Sequence, residues 1–226
     1  MKRAQKVKFI KEREEKPANT VVPKNDLQKE FIDALRSKPF VCGIGCAGTG
    51  KTYIAGMLAA QALLRGDVNT IVLTRPNVPT GKTLGSFPGS VEEKLAPWLA
   101  PITNVLKRAI GAKDFECRFG KSILVQPLET IRGQSFENAF VIVDEAQNLS
   151  IEEIKALTTR VGEDTTMAFV GDETQSDVKH GTDLTRFLKM CERSNIDVPV
   201  IRFGLDHIVR SELCASMVRM FYMNDI

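Results

Sequence analysis

The sequence predicts an α/β fold: one domain, built as a mostly parallel sheet with helices on both faces. Two observations carry this. Short apolar runs at 40–44, 69–74, 140–143, 166–170 and 198–203 alternate with stretches of helical period. Continuously apolar strands are those buried on both faces, and the intervening helices supply the cover. The residues with chemistry to offer follow the carboxyl ends of these runs, where open α/β sheets place their ligands.

Taken in order, Asn25 is a good N-cap for a helix to about residue 37, with Gln28 three residues on, where a capping-box side chain belongs. Strand 40–44 then runs into Gly45-Cys46-Ala47-Gly48-Thr49-Gly50-Lys51-Thr52, followed by a helix over 53–65. This fits G-x-x-x-x-G-K-[ST], the phosphate-binding P-loop, in its required strand–loop–helix setting. Glycines let backbone N–H groups approach phosphate oxygens, and the helix start adds a positive dipole end. On this reading all eight residues contact nucleotide. Lys51 reaches the β- and γ-phosphates, and Thr52 ligates Mg²⁺. A glycine turn that happens to carry Lys-Thr is the plain alternative, and the two flanking elements weigh against it.

Strand 69–74 ends in Arg75-Pro76. The polar stretch 77–89, with three glycines and two prolines, is long for an ordinary connection, and such loops are usually functional. Ser90-Val91-Glu92-Glu93 reads as a capping box for a helix interrupted by Pro97 and Pro101 and resuming to about 110. Runs 115–119 and 122–126 are strand-like and form a candidate hairpin. A second capping box, Ser150-Ile151-Glu152-Glu153, opens a helix to about 160. Helix 183–194, strand 198–203 and a closing helix over 210–222 complete the chain.

Asp144-Glu145 follows a buried strand. Its helix is already capped by Ser150, so the acidic pair is not needed there. Aimed at a P-loop, Asp144 holds Mg²⁺ through water and Glu145 orients or deprotonates the attacking water. Gly171-Asp172-Glu173-Thr174-Gln175 ends the strand expected beside it, and the Gln175 amide is placed to contact both γ-phosphate and that water.

Composition sets bounds. At 43% hydrophobic and 26% charged, the chain is an ordinary globular protein. No apolar run is long enough to span a membrane, and no secretory leader is visible. Five scattered cysteines show neither disulfide nor zinc spacing, which suits reduced thiols in a cytoplasmic protein. Cys46 inside the P-loop reads as a small filler residue. The net charge of +3 is concentrated at the start. Residues 1–24 hold eight Lys/Arg against three Glu, and the rest balances at −2. Residues 1–24 are therefore read as a mobile basic arm, either simply solvated or binding nucleic acid phosphates, and 25–226 as the folded domain.

These motifs, in this order, resemble the first RecA-like domain of superfamily 1 helicases: Gln28, the P-loop, Thr74-Arg75-Pro76, the acidic motif at 143–148 and the Gly-Asp motif at 171–177. More closely the chain resembles the PhoH-like family of ATPases, through 84–102, 131–148 and 206–213. The match runs from about Asn25 to the C-terminus.

The resemblance implies roles for matched positions. Gln28 would recognise adenine, besides or instead of capping its helix. Arg75 and Arg132 would touch RNA or single-stranded DNA, although Gln134 stands where the family often has a second basic residue. A ring-shaped homo-oligomer, hexameric by resemblance, would let Arg210 serve a neighbour's γ-phosphate, since no room is expected for a second RecA-like domain or a PIN nuclease. The expected activity is Mg²⁺-dependent ATP hydrolysis coupled to nucleic acid. The alternative is a nucleotide-dependent switch or assembly protein that recruits partners. A small-molecule kinase fits poorly, because the acidic and Gly-Asp motifs serve attack by water.

Overall fold

The computed structural model describes residues 20–76, 97–131, 133–172 and 183–224. Six strands form one sheet: β1 (Phe40–Gly45), β2 (Thr70–Thr74), β3 (Ile123–Val125), β4 (Ala139–Val143), β5 (Thr166–Gly171) and β6 (Val200–Phe203). Their order is β3-β2-β4-β5-β1-β6, and every pairing is parallel. Parallel neighbours need long crossovers. Among the described residues, α1 (Asp26–Ser37) precedes the sheet, the crossovers carry α2 (Lys51–Arg65), α3 (Ala100–Ile110), α4 (Ala112–Arg118), α5 (Ile151–Thr158) and α6 (Asp183–Arg193), and α7 (Glu212–Met223) follows the last strand.

Strand periodicity divides the core in two. Phe140 and Ile142 of β4, with Ala168 and Val170 of β5, pack into the layer that holds α1, α2 and α3. Val141, Val143, Met167 and Phe169 point the other way, into the layer of α5 and α6. Helix α2 is buried almost all round, at Ile54 to Leu63, as expected of a helix wedged between a sheet and other helices. Phe31 of α1 is fully buried and meets the Phe203 ring edge-on at 5.8 Å.

The caps form as the sequence suggests. Asn25 Oδ1 accepts from the Gln28 N–H at 2.9 Å. Ser150 and Glu153 make both bonds of a capping box. Gln28, however, does not close its box: its side chain turns into the domain instead.

Several expectations need correction. Residues 115–119 are not a strand, and no hairpin forms. Phe115 lies in α4 with only that side chain buried, and β3 pairs in parallel with β2. Phe115 and Phe119 are four residues apart, a spacing that also fits one helix face, and their rings stack at 5.3 Å. Pro101 does not interrupt a helix; it lies in the first turn of α3, where a missing N–H costs nothing. Arg210 does not begin α7; it precedes the N-cap Ser211. Residues 20–24, read as the end of the arm, pack on the domain through buried Val21 and a bond from Lys24 N–H to Gln28 Oε1. The stretch 77–89, the box at 90–93, Arg132 and Gln175 lie outside the described residues.

Phe31→Ala should cost about 3–5 kcal/mol, the range for a large aromatic removed from a packed core. Chemical denaturation measures it, and a loss below about 1 kcal/mol would mean that α1 is only loosely held on the sheet.

Candidate functional site

The P-loop is shaped from several sides. Gly45 ends β1 at φ 119°, and a Cβ there would collide with the carbonyl of Phe203. The Cys46 N–H donates to that same carbonyl at 3.0 Å, and the Val209 N–H donates to Gly48 O at 3.0 Å. Gln28 Nε2 donates to Thr49 O at 2.8 Å. The far C-terminal segment and α1 thus fix the loop. Helix α2 follows with Gly50 as an N-cap that supplies no side-chain bond. Its first-turn amides therefore have no side-chain cap to satisfy them, the usual setting for an anion.

Lys51 is 7% exposed. Its ammonium donates to Gly45 O at 2.6 Å, Cys46 O at 2.8 Å and Thr49 Oγ1 at 3.2 Å. Burial pushes its pKa down, opposed by the charges of Asp172, Cys46, Asp144 and Glu145. The neighbouring Cys46 thiol is pushed up by burial and by Asp172. Lys51 opposes that shift, and a thiol raised by burial suits a filler residue.

The Thr52 hydroxyl donates to Asp144 Oδ1 at 3.1 Å, joining the start of α2 to the end of β4. Burial and the adjacent Glu145 raise the Asp144 pKa, while Arg75 and the Thr52 bond lower it. Two hard oxygen donors meeting beside a P-loop suit Mg²⁺, which is commonly held by one or two protein oxygens with phosphates and water completing the shell. Among the described residues there is no cluster of three or more His, Cys, Asp or Glu for a metal, and Mg²⁺ bound in this way needs none.

Glu145 sits in the left-handed region, at φ 53° and ψ 39°. Such a conformation costs about 1–3 kcal/mol for a non-glycine residue and persists where its surroundings impose it. Arg75 approaches Glu145 Oε1 at 3.6 Å, donates to Trp98 O at 3.1 Å and lies over the Trp98 ring. Gln147 Nε2 donates to Glu145 Oε2 at 2.6 Å.

These groups share a cavity of about 680 Å³, lined by the P-loop, Asp144, Glu145, Gly171 and Asp172. Val22, Gln28, Tyr53 and Val209 line it too. The volume is within the range of small-ligand sites. Arg210 belongs to the same cavity: a Cβ on Gly48 would lie 3.2 Å from Arg210 Cδ. Arg210 thus lies over the P-loop of its own chain. The structure brings together Gln28, Lys51, Thr52, Arg75, Asp144, Glu145 and Arg210. It places Gln134 outside this group, bonded to Gln126 at 2.8 Å. Sequence reading missed Gln147. Its only signal was its place in the acidic motif, and nothing there says that the amide turns inward.

Gln28 can be separated from its cap. Gln28→Leu leaves Thr49 O and Lys24 N–H without this partner, and should cost about 1–3 kcal/mol while weakening nucleotide binding. Asn25→Ala removes only the cap, about 1 kcal/mol, and should leave binding intact. Thermal melts and titration with a fluorescent nucleotide check this; equal binding losses in both variants would place Gln28 in the cap alone.

The comparisons with known proteins follow the same lines. A family model described as "PhoH-like protein" matches residues 20–222. Protein PhoH of Escherichia coli K12 is 38% identical over 215 residues, covering 92% of this chain and 60% of that protein. A PhoH-like protein of Bacillus subtilis is 35% identical over 196 residues, covering 86% of this chain and 61% of its own length. The chain therefore spans about 60% of the curated relatives it matches. Among solved structures, the large terminase of a thermophilic bacteriophage superposes with a TM-score of 0.56 at 14% identity, covering 89% of this chain and 50% of the terminase. That likeness concerns the fold. With matched residues spanning the whole described domain, the chain belongs to the PhoH-like family.

Proposed function

We propose that this chain hydrolyses ATP with Mg²⁺ and couples the reaction to RNA or single-stranded DNA. The observation that carries the reading is the meeting in one cavity of the Lys51 ammonium, the Thr52–Asp144 oxygen pair and the Glu145 carboxylate. On this reading Lys51 exchanges its loop carbonyls for the β- and γ-phosphates. Thr52 and Asp144 hold Mg²⁺, which when bound neutralises charge on the phosphate oxygens. Glu145 orients the attacking water and takes its proton. Gln175 contacts that water and the γ-phosphate. Arg210, from the same chain, meets the charge that develops there, as an arginine supplied in cis can. Gln28, Val22 and Tyr53 surround the place for the base.

Arg75 and Arg132 are the proposed contacts to nucleic acid, and the basic stretch at 1–24 adds phosphate affinity. The pairing of Arg75 with Glu145 supports a coupling. A nucleic acid phosphate that engages the guanidinium changes the surroundings of the catalytic carboxylate. We place the protein in the cytoplasm, in line with its five free cysteines. No helix among the described residues is long and apolar enough to cross a membrane.

A second reading is a nucleotide-dependent switch that assembles with copies of itself or with partners. The exposed apolar residues Leu213, Met217 and Phe221 along α7 favour it. A ring-shaped homo-oligomer is compatible with both readings, and Arg210 over its own P-loop does not require one.

Lys51→Ala should abolish turnover and weaken nucleotide binding. Glu145→Gln should keep binding and lose roughly 10²-fold or more in rate. Full hydrolysis by the Lys51 variant would sink the assignment.

RNA should stimulate turnover by the wild-type protein, and Arg75→Ala should lose that stimulation. Turnover assayed with and without RNA, beside a measured solution mass, decides between the readings. Turnover indifferent to RNA and single-stranded DNA, in a protein that assembles with nucleotide, favours the switch.

A further inference from the structure

We propose that Gln147 is a positioning residue, whose buried amide holds the Glu145 carboxylate in register with the end of β5. The inference rests on the role given to Glu145 above.

Gln147 is 1% exposed, within a short 3-10 turn, Ala146–Asn148. An amide this deeply buried is costly unless its atoms are bonded. Its two ends reach different elements. Nε2 donates to Glu145 Oε2 at 2.6 Å, and Oε1 accepts from the Asp172 N–H at 3.0 Å. A methionine would fill similar space without either bond. Room for the amide exists only because residue 171 is glycine. A Cβ there would overlap Gln147 Oε1 and crowd the backbone nitrogens of 146 and 147. The strand end and the turn are thus shaped around this side chain.

The two Glu145 oxygens are held by different partners. Arg75 stands at 3.6 Å from Oε1, a loose contact, while Gln147 makes a short bond to Oε2. Without Gln147, Arg75 is left as the side-chain partner that draws the carboxylate towards β2. A carboxylate misplaced by about 1 Å can cost 10²-fold in rate. Because Gln147 also bonds the backbone of Asp172, a shift of the Gly-Asp segment is passed directly to Glu145.

Two variants separate positioning from packing. Gln147→Met keeps volume and loses both bonds. Gln147→Glu keeps an acceptor for the Asp172 N–H and replaces the donor facing Glu145 with an oxygen. Positioning predicts that both lose about 10²-fold in kcat, with the nucleotide dissociation constant changed less than about threefold. It also predicts that Gln147→Met, added to Glu145→Gln, changes the residual single-turnover rate less than about twofold, because the two residues act as a unit.

A wild-type kcat in Gln147→Glu, with lowered melting temperature in Gln147→Met, overturns the proposal and leaves Gln147 as a structural pin. An equal further loss in the Glu145→Gln background also overturns it. Absence of hydrolysis by the wild-type protein itself is a different result: it overturns the functional reading and the positioning with it.

Discussion

The site depends on keeping one ammonium group charged in a place water barely reaches. Lys51 is nearly buried, and a buried charge is tolerated only with close partners. Three loop oxygens supply them, with the carboxylates of Asp172, Asp144 and Glu145 nearby. The loop can turn its carbonyls inward onto Lys51 because glycines at 45, 48 and 50 take positive φ. It stays there because Phe203, Val209 and Gln28 hold it from outside. Anything that slackens these outer contacts loosens the charge as well.

Sheet order then decides what can meet that charge. Strand β5 lies between β1, which leads into the P-loop, and β4, which ends in the acidic pair. At one strand spacing per neighbour, the P-loop and acidic strands stand roughly 9–10 Å apart. That gap is wide enough for a phosphoryl group and an attacking water. The strand that fills it, β5, carries Gly171 and Asp172 to the same edge. A chain of contacts crosses this edge, from Trp98 through Arg75 and Glu145 to Gln147 and Asp172. It joins the proposed nucleic acid side of the cavity to the strand end beside the P-loop.

Much of this was legible in the sequence, for identifiable reasons. The P-loop and the acidic pair are each written in consecutive residues, and the fold brings the two into one cavity. Asn25 and Ser150 cap their helices because their side chains act on backbone three residues away, and local rules are read locally. The misreadings fall where contacts distant in the chain decide. Phe115 and Phe119 fit both a short strand and a helix face, and only packing on α3 decides between them. Gln28 could serve its cap or the interior, and Thr49, brought close by tertiary folding, draws it inward. The bonds of Gln147 and the place of Arg210 depend on strands and loops far away in the chain. No spacing rule encodes them.

The pairing of β1 has a further consequence during synthesis. Phe40 pairs with Met167 and Cys42 with Val200, so both neighbours of the P-loop strand leave the ribosome long after it. At about 5–20 residues per second, the strand waits on the order of ten seconds for the first of them. Over that interval an apolar segment stands without its ladder, open to chaperones and to other nascent chains. The segment that closes the loop, around Val209, emerges later still. The P-loop is therefore held in its final shape only after β6 and the segment around Val209 have been made, long after its own residues were.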